Sequence, residues 1–315
     1  MAAGDTDALV ERALGGDRVA TAKLLSLVEQ GGEGARAVVS RLHPHTGKAW
    51  SVGITGAPGA GKSTLTDALV ACVRAEGLEV GVLAVDPSSP FSGGAILGDR
   101  VRMQRHSTDP GVFIRSMASR GHLGGLALAT PQSVRVLDAV GKPWVIVETV
   151  GVGQVEVEIA SQADTTIVVV NPGWGDEVQA AKAGLLEVAD IFVVNKADRP
   201  GADATVSDLS GMLELAPGSG WRPPIIRTVA TTGEGVDELW AQIGLHRAAL
   251  ESNGGLATRR HARLAAEMRA LVVEQLLARW GGVAEGARFD ALVDDVASGA
   301  TDPYAAVDAL LDDGA

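Results

Sequence analysis

From Trp50 onward the chain alternates short β-branched runs with longer stretches whose apolar residues recur at helical spacing. The runs are SVGIT (51–55), VGVLAV (80–85), VFIRSM (112–117), WVIVET (144–149), TTIVVV (165–170), IFVVN (191–195) and PIIRTV (224–229). None shows strict alternation of apolar and polar residues, the pattern expected of parallel strands covered by helices on both faces. This order predicts an α/β fold with a mostly parallel sheet flanked by helices. Ligands in such a fold sit at the carboxyl ends of the strands.

The two ends of the chain read differently. Residues 5–43 carry Ala, Leu and Val at helical spacing, broken at Gly15-Gly16 and Gly31-Gly32, which predicts two or three short helices. After residue 252 strand signals stop, and Leu264, Met268, Leu271, Val272 and Leu276 form a stripe on a long helix beginning near Ala257. Pro303 suits the first turn of a last helix that Thr301 or Asp302 would cap. The expected division is a helical extension at 1–45, a central domain at 46–252 and a helical arm at 253–315. The arm has two readings: it folds back on its own sheet, or it pairs with another subunit.

A formal charge of −12, from 39 acidic against 27 basic residues, argues against broad attraction to nucleic acid or an anionic membrane. Cys72 is the only cysteine, so an internal disulfide and a thiolate metal cage within one chain are excluded. The amino-terminal stretch carries acids where a secretory signal needs a basic flank, and no apolar run approaches a membrane span. A cytoplasmic protein is expected.

The strongest local signal is Gly56-Ala57-Pro58-Gly59-Ala60-Gly61-Lys62-Ser63, followed by Thr64, between the run SVGIT and a helical stretch. It matches G-x-x-x-x-G-K-[ST] in the strand-to-helix setting that the motif needs. Its glycines let successive N–H groups turn toward phosphates, and the helix beginning near Gly61 adds its positive end. Lys62 is expected at the β and γ phosphates, and Ser63 on Mg²⁺. A glycine-rich turn with a chance Lys-Ser is the plain alternative.

Asn195-Lys196-Ala197-Asp198 follows IFVV at a strand's carboxyl end. The Asp198 carboxylate suits the N1–H and exocyclic amine of guanine, whereas adenine would leave it unpaired. Asn195 is expected to touch the base's other edge and brace the phosphate loop, with the Lys196 stem lying across the ring. The expectation is GTP, hydrolysed to GDP.

Three acids stand where Mg²⁺ or its waters could be held: Asp86 after VGVLAV, Asp99 in GAILGDRVRM and Glu148 in WVIVET. Asp86 before Pro87 is also a good turn former, and Asp99 is also a good helix cap. Gly151, after Glu148-Thr-Val, is the expected sensor of the γ phosphate.

VDPSSPFSGGAILGDRVRM (85–103), RGHLGG (120–125), ETVGVGQVEVEIA (148–160) and NKAD resemble the MeaB/ArgK family, the methylmalonyl-CoA mutase-associated GTPases that include human MMAA. The resemblance runs through nearly the whole chain. It implies a P-loop NTPase of SIMIBI type and a homodimer formed through the carboxyl-terminal arm. It also implies a partner, methylmalonyl-CoA mutase or a related adenosylcobalamin-dependent mutase, whose cofactor loading the GTPase gates and which it protects. Carried onto this chain, Asp86, Asp99 and Glu148 would be magnesium-site acids, with Asp99 placing the attacking water. Asn171 to Lys182 would be an additional switch, using Asp176, Gln179 and Lys182; without the resemblance that stretch reads as a loop running into a solvated helix.

Two other functions compete. A metallochaperone GTPase for another metalloenzyme needs clustered thiolates or histidines, and here only His43-Pro44-His45 brings two histidines close. A cobalamin carrier would be expected to show D-x-H-x-x-G, which is absent.

Overall fold

The computed structural model describes residues 3–86, 104–106, 108–118, 125–149, 157–158, 161–173, 187–215, 220–280 and 286–312. Each of the seven apolar runs is a strand: β1 Trp50–Gly56, β2 Val80–Asp86, β3 Val112–Ala118, β4 Trp144–Thr149, β5 Thr165–Val170, β6 Ile191–Asn195 and β7 Ile225–Thr228. They form one sheet in the order β3-β2-β4-β1-β5-β6-β7. Every pairing is parallel. The chain leaves β1 toward one edge and later returns to its other side at β5. The carboxyl end of β1 is therefore the switch point at which such sheets bind ligands.

The missing alternation in the sequence has a direct cause. Val52 and Ile54 of β1, Val82 of β2, Ile146 of β4, Val169 of β5 and Val193 of β6 face one core. That core is closed by α4 (Lys62–Ala75), which follows β1, and by a later helix, Val236–Ser252. The intervening residues Leu83, Val85, Val145 and Val147 face a second core, while Val168, Val170, Phe192 and Val194 face a third. Side chains still alternate along each strand, but both faces are dry.

The second core is closed largely by the amino-terminal helices α1 (Ala3–Leu14), α2 (Arg18–Gln30) and α3 (Gly32–Leu42), together with α5 (Gly125–Ala139). Leu24, Leu25, Val38 and Leu42 are fully buried there. Asp17 caps α2 by accepting from the amides of Val19 at 2.8 Å and Ala20 at 3.1 Å. Gly31 and Gly32, at φ 71° and 65°, make the turn into α3 that a side chain would resist. Arg18 donates to the carbonyls of Pro110 at 2.9 Å and Val112 at 2.7 Å, covering part of the edge strand β3.

After α6 (Ala202–Leu215) and α7 (Val236–Ser252) the chain turns at Gly254 into α8 (Gly255–Trp280). The start lies two residues before the expected Ala257, because Asn253 Oδ1 accepts from the Gly255 amide at 2.8 Å and opens the helix early. Arg259 and Arg260, in the second turn of α8, grip the amino ends of two neighbouring strands. Arg259 reaches both oxygens of Asp190, at 2.6 and 2.8 Å, just before β6. Arg260 reaches both oxygens of Asp164, at 3.0 and 2.7 Å, just before β5. His246 of α7 is fully buried beside them, with Nδ1 2.9 Å from Thr165 Oγ1 and Nε2 3.3 Å from Asp190 Oδ1. Trp50 Nε1 donates to the same Thr165 hydroxyl at 3.0 Å, which ties in β1.

Residues Met1–His261 form one compact unit and Ala262–Ala315 another. The second contains the rest of α8, α9 (Ala287–Ser298) and α10 (Pro303–Asp312). Asp302 caps α10 through the amides of Tyr304 at 2.9 Å and Ala305 at 3.2 Å. Leu264, Met268, Val272 and Leu276 of the expected stripe are exposed, while Leu271 is half-buried. No helix among the described residues is long and apolar enough to cross a membrane.

Candidate functional site

The site is assembled at the carboxyl ends of β1, β2, β4 and β6. At Gly56, where β1 ends, φ is 138°, and a Cβ there would lie 1.9 Å from the Val169 carbonyl oxygen of β5. Only glycine lets the chain leave the sheet at this point. Gly59 and Gly61 are also left-handed, at φ 70° and 92°, and the Ala60 amide closes the turn onto the Ala57 carbonyl at 3.1 Å. Pro58 and Gly59 are exposed at the tip; Ala60 is buried beneath it.

Helix α4 begins at Lys62, immediately after the turn, so its first amides lack partners within the helix and its positive end faces the loop. The buried Lys62 ammonium donates to the carbonyls of Gly56 at 2.8 Å and Ala57 at 3.1 Å. Those bonds hold the cation over the loop. Thr64, half-buried, follows on the first helical turn.

Ser63 Oγ hydrogen-bonds Glu148 Oε1, and both residues are buried. Parallel pairing of β2 with β4 sets Ala84 opposite Glu148, and Asp86 ends β2 two residues further on, also buried. A hydroxyl and two carboxylates thus come to one end of the sheet. This all-oxygen donor set fits a hard cation such as Mg²⁺, which needs only one or two carboxylates beside phosphate and water.

Asn195, the last residue of β6, is buried with three side-chain bonds. Its Nδ2 donates to the Ala60 carbonyl at 2.7 Å, and its Oδ1 accepts from Thr228 Oγ1 at 3.0 Å and the Ala230 amide at 3.1 Å. The bracing expected of Asn195 is therefore present, and one Nδ2 proton remains for a ligand edge. Lys196 sits at φ 56°, and its ammonium donates to the Gly59 carbonyl at 2.5 Å. Asp198 is exposed in the turn that follows, which the Ala197 amide holds to the Thr228 carbonyl at 3.0 Å.

Thr228, the last residue of β7, and Ala230, two residues beyond it, hold Asn195 in place, and sequence reading missed them. Their signal was weak: a threonine and an alanine after PIIR carry no charge or motif, and only their place at a strand's carboxyl end points to the ligand. Asp99, Gly151, Asp176, Gln179 and Lys182 lie outside the described residues. Cys72 on α4 is half-buried; burial first, and then Asp237, push its thiol up to about 11, so it stays protonated at neutral pH.

A family profile described as methylmalonyl-CoA mutase-associated GTPase MeaB matches residues 21–284. The chain belongs to the MeaB family. A Pyrococcus abyssi protein, named only provisionally as a GTPase, is 53% identical over 97% of this chain and 95% of its own length. The mouse methylmalonic aciduria type A homolog, a mitochondrial protein, is 36% identical over 72% of this chain and 56% of its own. Among solved structures, one titled LAO/AO transport system kinase superposes with a TM-score of 0.71 at 27% identity, covering 98% of this chain and 97% of that one. The expected P-loop fold and GTPase activity are borne out by these relatives: this MeaB-family chain binds GTP and GDP and is a GTPase.

Proposed function

We propose that the chain is a GTP-hydrolysing chaperone of an adenosylcobalamin-dependent methylmalonyl-CoA mutase, gating cofactor loading and protecting the mutase. The observation that carries this reading is the match to the mutase-associated family over residues 21–284, which spans the whole nucleotide site. GTP acts as a timer: hydrolysis is slow until the partner orders the loops around the phosphates.

In this reading the loop Gly56 to Thr64 cradles the phosphates through its backbone amides, Pro58 having none to give and Ala60 spending its own on the Ala57 carbonyl, and Lys62 exchanges its bonds to Gly56 and Ala57 for β and γ phosphate oxygens. Ser63, Asp86 and Glu148, with Asp99, would hold Mg²⁺. When bound, the ion neutralises charge on the β and γ oxygens. Asp99 places the attacking water, Gly151 reads the γ phosphate, and Asp176, Gln179 and Lys182 couple the partner to hydrolysis. Lys196 spans from the phosphate loop toward the purine, whose guanine edge pairs with Asp198.

The arm pairs two copies of the chain. Its support is the apolar stripe at Leu264, Met268, Val272 and Leu276, exposed on a helix where a lone domain would bury it.

The test is GTP turnover by the purified protein with and without the mutase, using Lys62→Ala as control. Acceleration by the mutase that disappears in Lys62→Ala is the expected result. Turnover indifferent to methylmalonyl-CoA mutase, but raised by another acyl-CoA mutase, would reassign the client.

A further inference from the structure

Helix α4 carries Lys62 and Ser63 at its start and two further charges on one flank. Asp67 and Arg74 are separated by two helical turns and so share a face. Against that face lies the chain returning from β2 on its way into β3. Asp67 pairs with Arg105, and His106 Nε2 lies 3.2 Å from both the main-chain carbonyl and Oδ1 of Asp67. The hydrogen bond goes to the carbonyl, and Oδ1 is a close contact without one. Further along, Arg74 Nε donates to Asp109 Oδ2 at 2.8 Å, and Asp109 Oδ1 accepts from the Gly111 amide at 2.8 Å. A Cβ on Gly111 would meet the Arg74 guanidinium carbon at 2.3 Å, so the glycine lets the arginine lie across the turn.

The charges are reciprocal: acid then base on the helix, base then acid on the returning chain. Slipping that chain along α4 to the next charge would set Asp67 against Asp109 or Arg74 against Arg105. Repulsion on slipping makes the arrangement fix register as well as attachment. Asp67 and His106 are buried, while Arg105 has a side chain 56% exposed. The Arg105 pair therefore adds little to stability, and its worth lies in placement.

We propose that Asp67 is a positioning residue for GTP hydrolysis, acting through Arg105 and His106 to fix the returning chain on the helix that holds the triphosphate. The connection concerned starts at Asp86, the last residue of β2 and two residues beyond the one paired with Glu148, and ends at this clamp. Both of its ends are thereby set relative to Lys62 and Ser63. The inference rests on Lys62 and Ser63 holding the phosphates, as proposed above.

The test uses the full-length protein with Asp67→Asn, Asp67→Glu, Arg105→Gln and Lys62→Ala. Asp67→Asn and Arg105→Gln should each lower kcat roughly tenfold while affinity for GDP, read by a fluorescent analogue, stays within about twofold. Asp67→Glu, which keeps the charge, should recover turnover to within about threefold. The double variant Asp67→Asn/Arg105→Gln should be no slower than the worse single one, because both break one unit. If Lys62→Ala is inactive but Asp67→Asn and Arg105→Gln turn over at the unaltered rate, the clamp is wrong and the nucleotide site stands. If Lys62→Ala turns over normally, the nucleotide reading itself fails. Equal losses of kcat and GDP affinity would also overturn the proposal, reducing the clamp to scaffolding. Should Asp67→Asn not fold, the exposed Arg105→Gln decides alone.

Discussion

The side-chain amide of Asn195 donates to the Ala60 carbonyl at 2.7 Å, so the end of β6 and the phosphate loop share a hydrogen bond although they are far apart in sequence. The same side chain accepts from Thr228 and Ala230, joining three loops at one buried point.

Replacing Asn195 with Ala should loosen all three loops together. The partners left unpaired in a buried setting correspond to about 1–3 kcal/mol, or roughly fivefold to somewhat over a hundredfold in affinity. GTP and GDP should weaken alike, because the lost bonds touch the loop rather than the γ phosphate. Titration with fluorescent analogues of both nucleotides checks this, and a loss confined to GTP would contradict it.

Asp198→Asn should turn preference from guanosine toward xanthosine triphosphate, whose carbonyl replaces the guanine amine and accepts from an amide. Since Asp198 is exposed, the fold should be undisturbed. Competition between the two nucleotides on one protein sample gives the answer; an unshifted preference would remove Asp198 from base reading.

Two glycines of the loop should differ in how they fail. An added Cβ at Gly56 meets the Val169 carbonyl oxygen of a central strand at 1.9 Å, whereas at Gly61 it meets the side-chain nitrogen of Asn195 at 2.4 Å. Backbone in the middle of a sheet cannot yield, but a side chain can turn away. Gly56→Ala is therefore expected to lower the melting temperature clearly, and Gly61→Ala chiefly to weaken nucleotide binding. Thermal melts followed by circular dichroism, set beside nucleotide titrations, separate the two.

The Asp190 pair with Arg259 should show in pH-dependent stability. Burial alone would raise the Asp190 carboxyl, but hydrogen bonds from His246 and Arg259 hold it below its ordinary value. A depressed carboxylate contributes stability that is complete above the unfolded value of about 3.9 and is lost as pH falls through the folded one. Asp190→Asn should then cost roughly 2 kcal/mol at neutral pH, less than the ~3–5 of a fully buried pair because Arg259 stays partly wet. Below the carboxylate range the difference from the unaltered protein should shrink. Urea unfolding at pH 7 and near pH 3 measures both.

Met268→Lys with Leu276→Lys should make the protein monomeric if the exposed stripe on α8 is where copies meet. Light scattering behind a sizing column reads the mass directly. A protein that is monomeric before substitution would end the homodimer proposal.

The strands were readable because burial on both faces of a parallel sheet leaves a continuous apolar run. The phosphate loop was readable because Gly56, Gly59 and Gly61 take positive φ angles that side chains rarely adopt, and Gly56 and Gly61 also allow close approaches. Thr228 and Ala230 were not, since one of them acts through its backbone, which any residue type supplies. The amino-terminal helices were readable as short helices extending the core, but not that Leu24 and Val38 close the face of the sheet over β2 and β4. Amphipathic spacing tells that a helix has an apolar side, not which surface it meets. The Asp67 clamp was hidden for a related reason: its partners are common charged residues whose reciprocity appears only after the chain has returned.

Arg259 and Arg260 are consecutive, and each holds the start of a different strand with two bonds. Sliding β5 against β6 would have to break at least one forked grip, so the two behave as planks nailed to one crossbeam. Shear between these two strands is therefore resisted at their starts, opposite the nucleotide. A label on β5 or β6 should stay still through the catalytic cycle while one on a neighbouring loop moves.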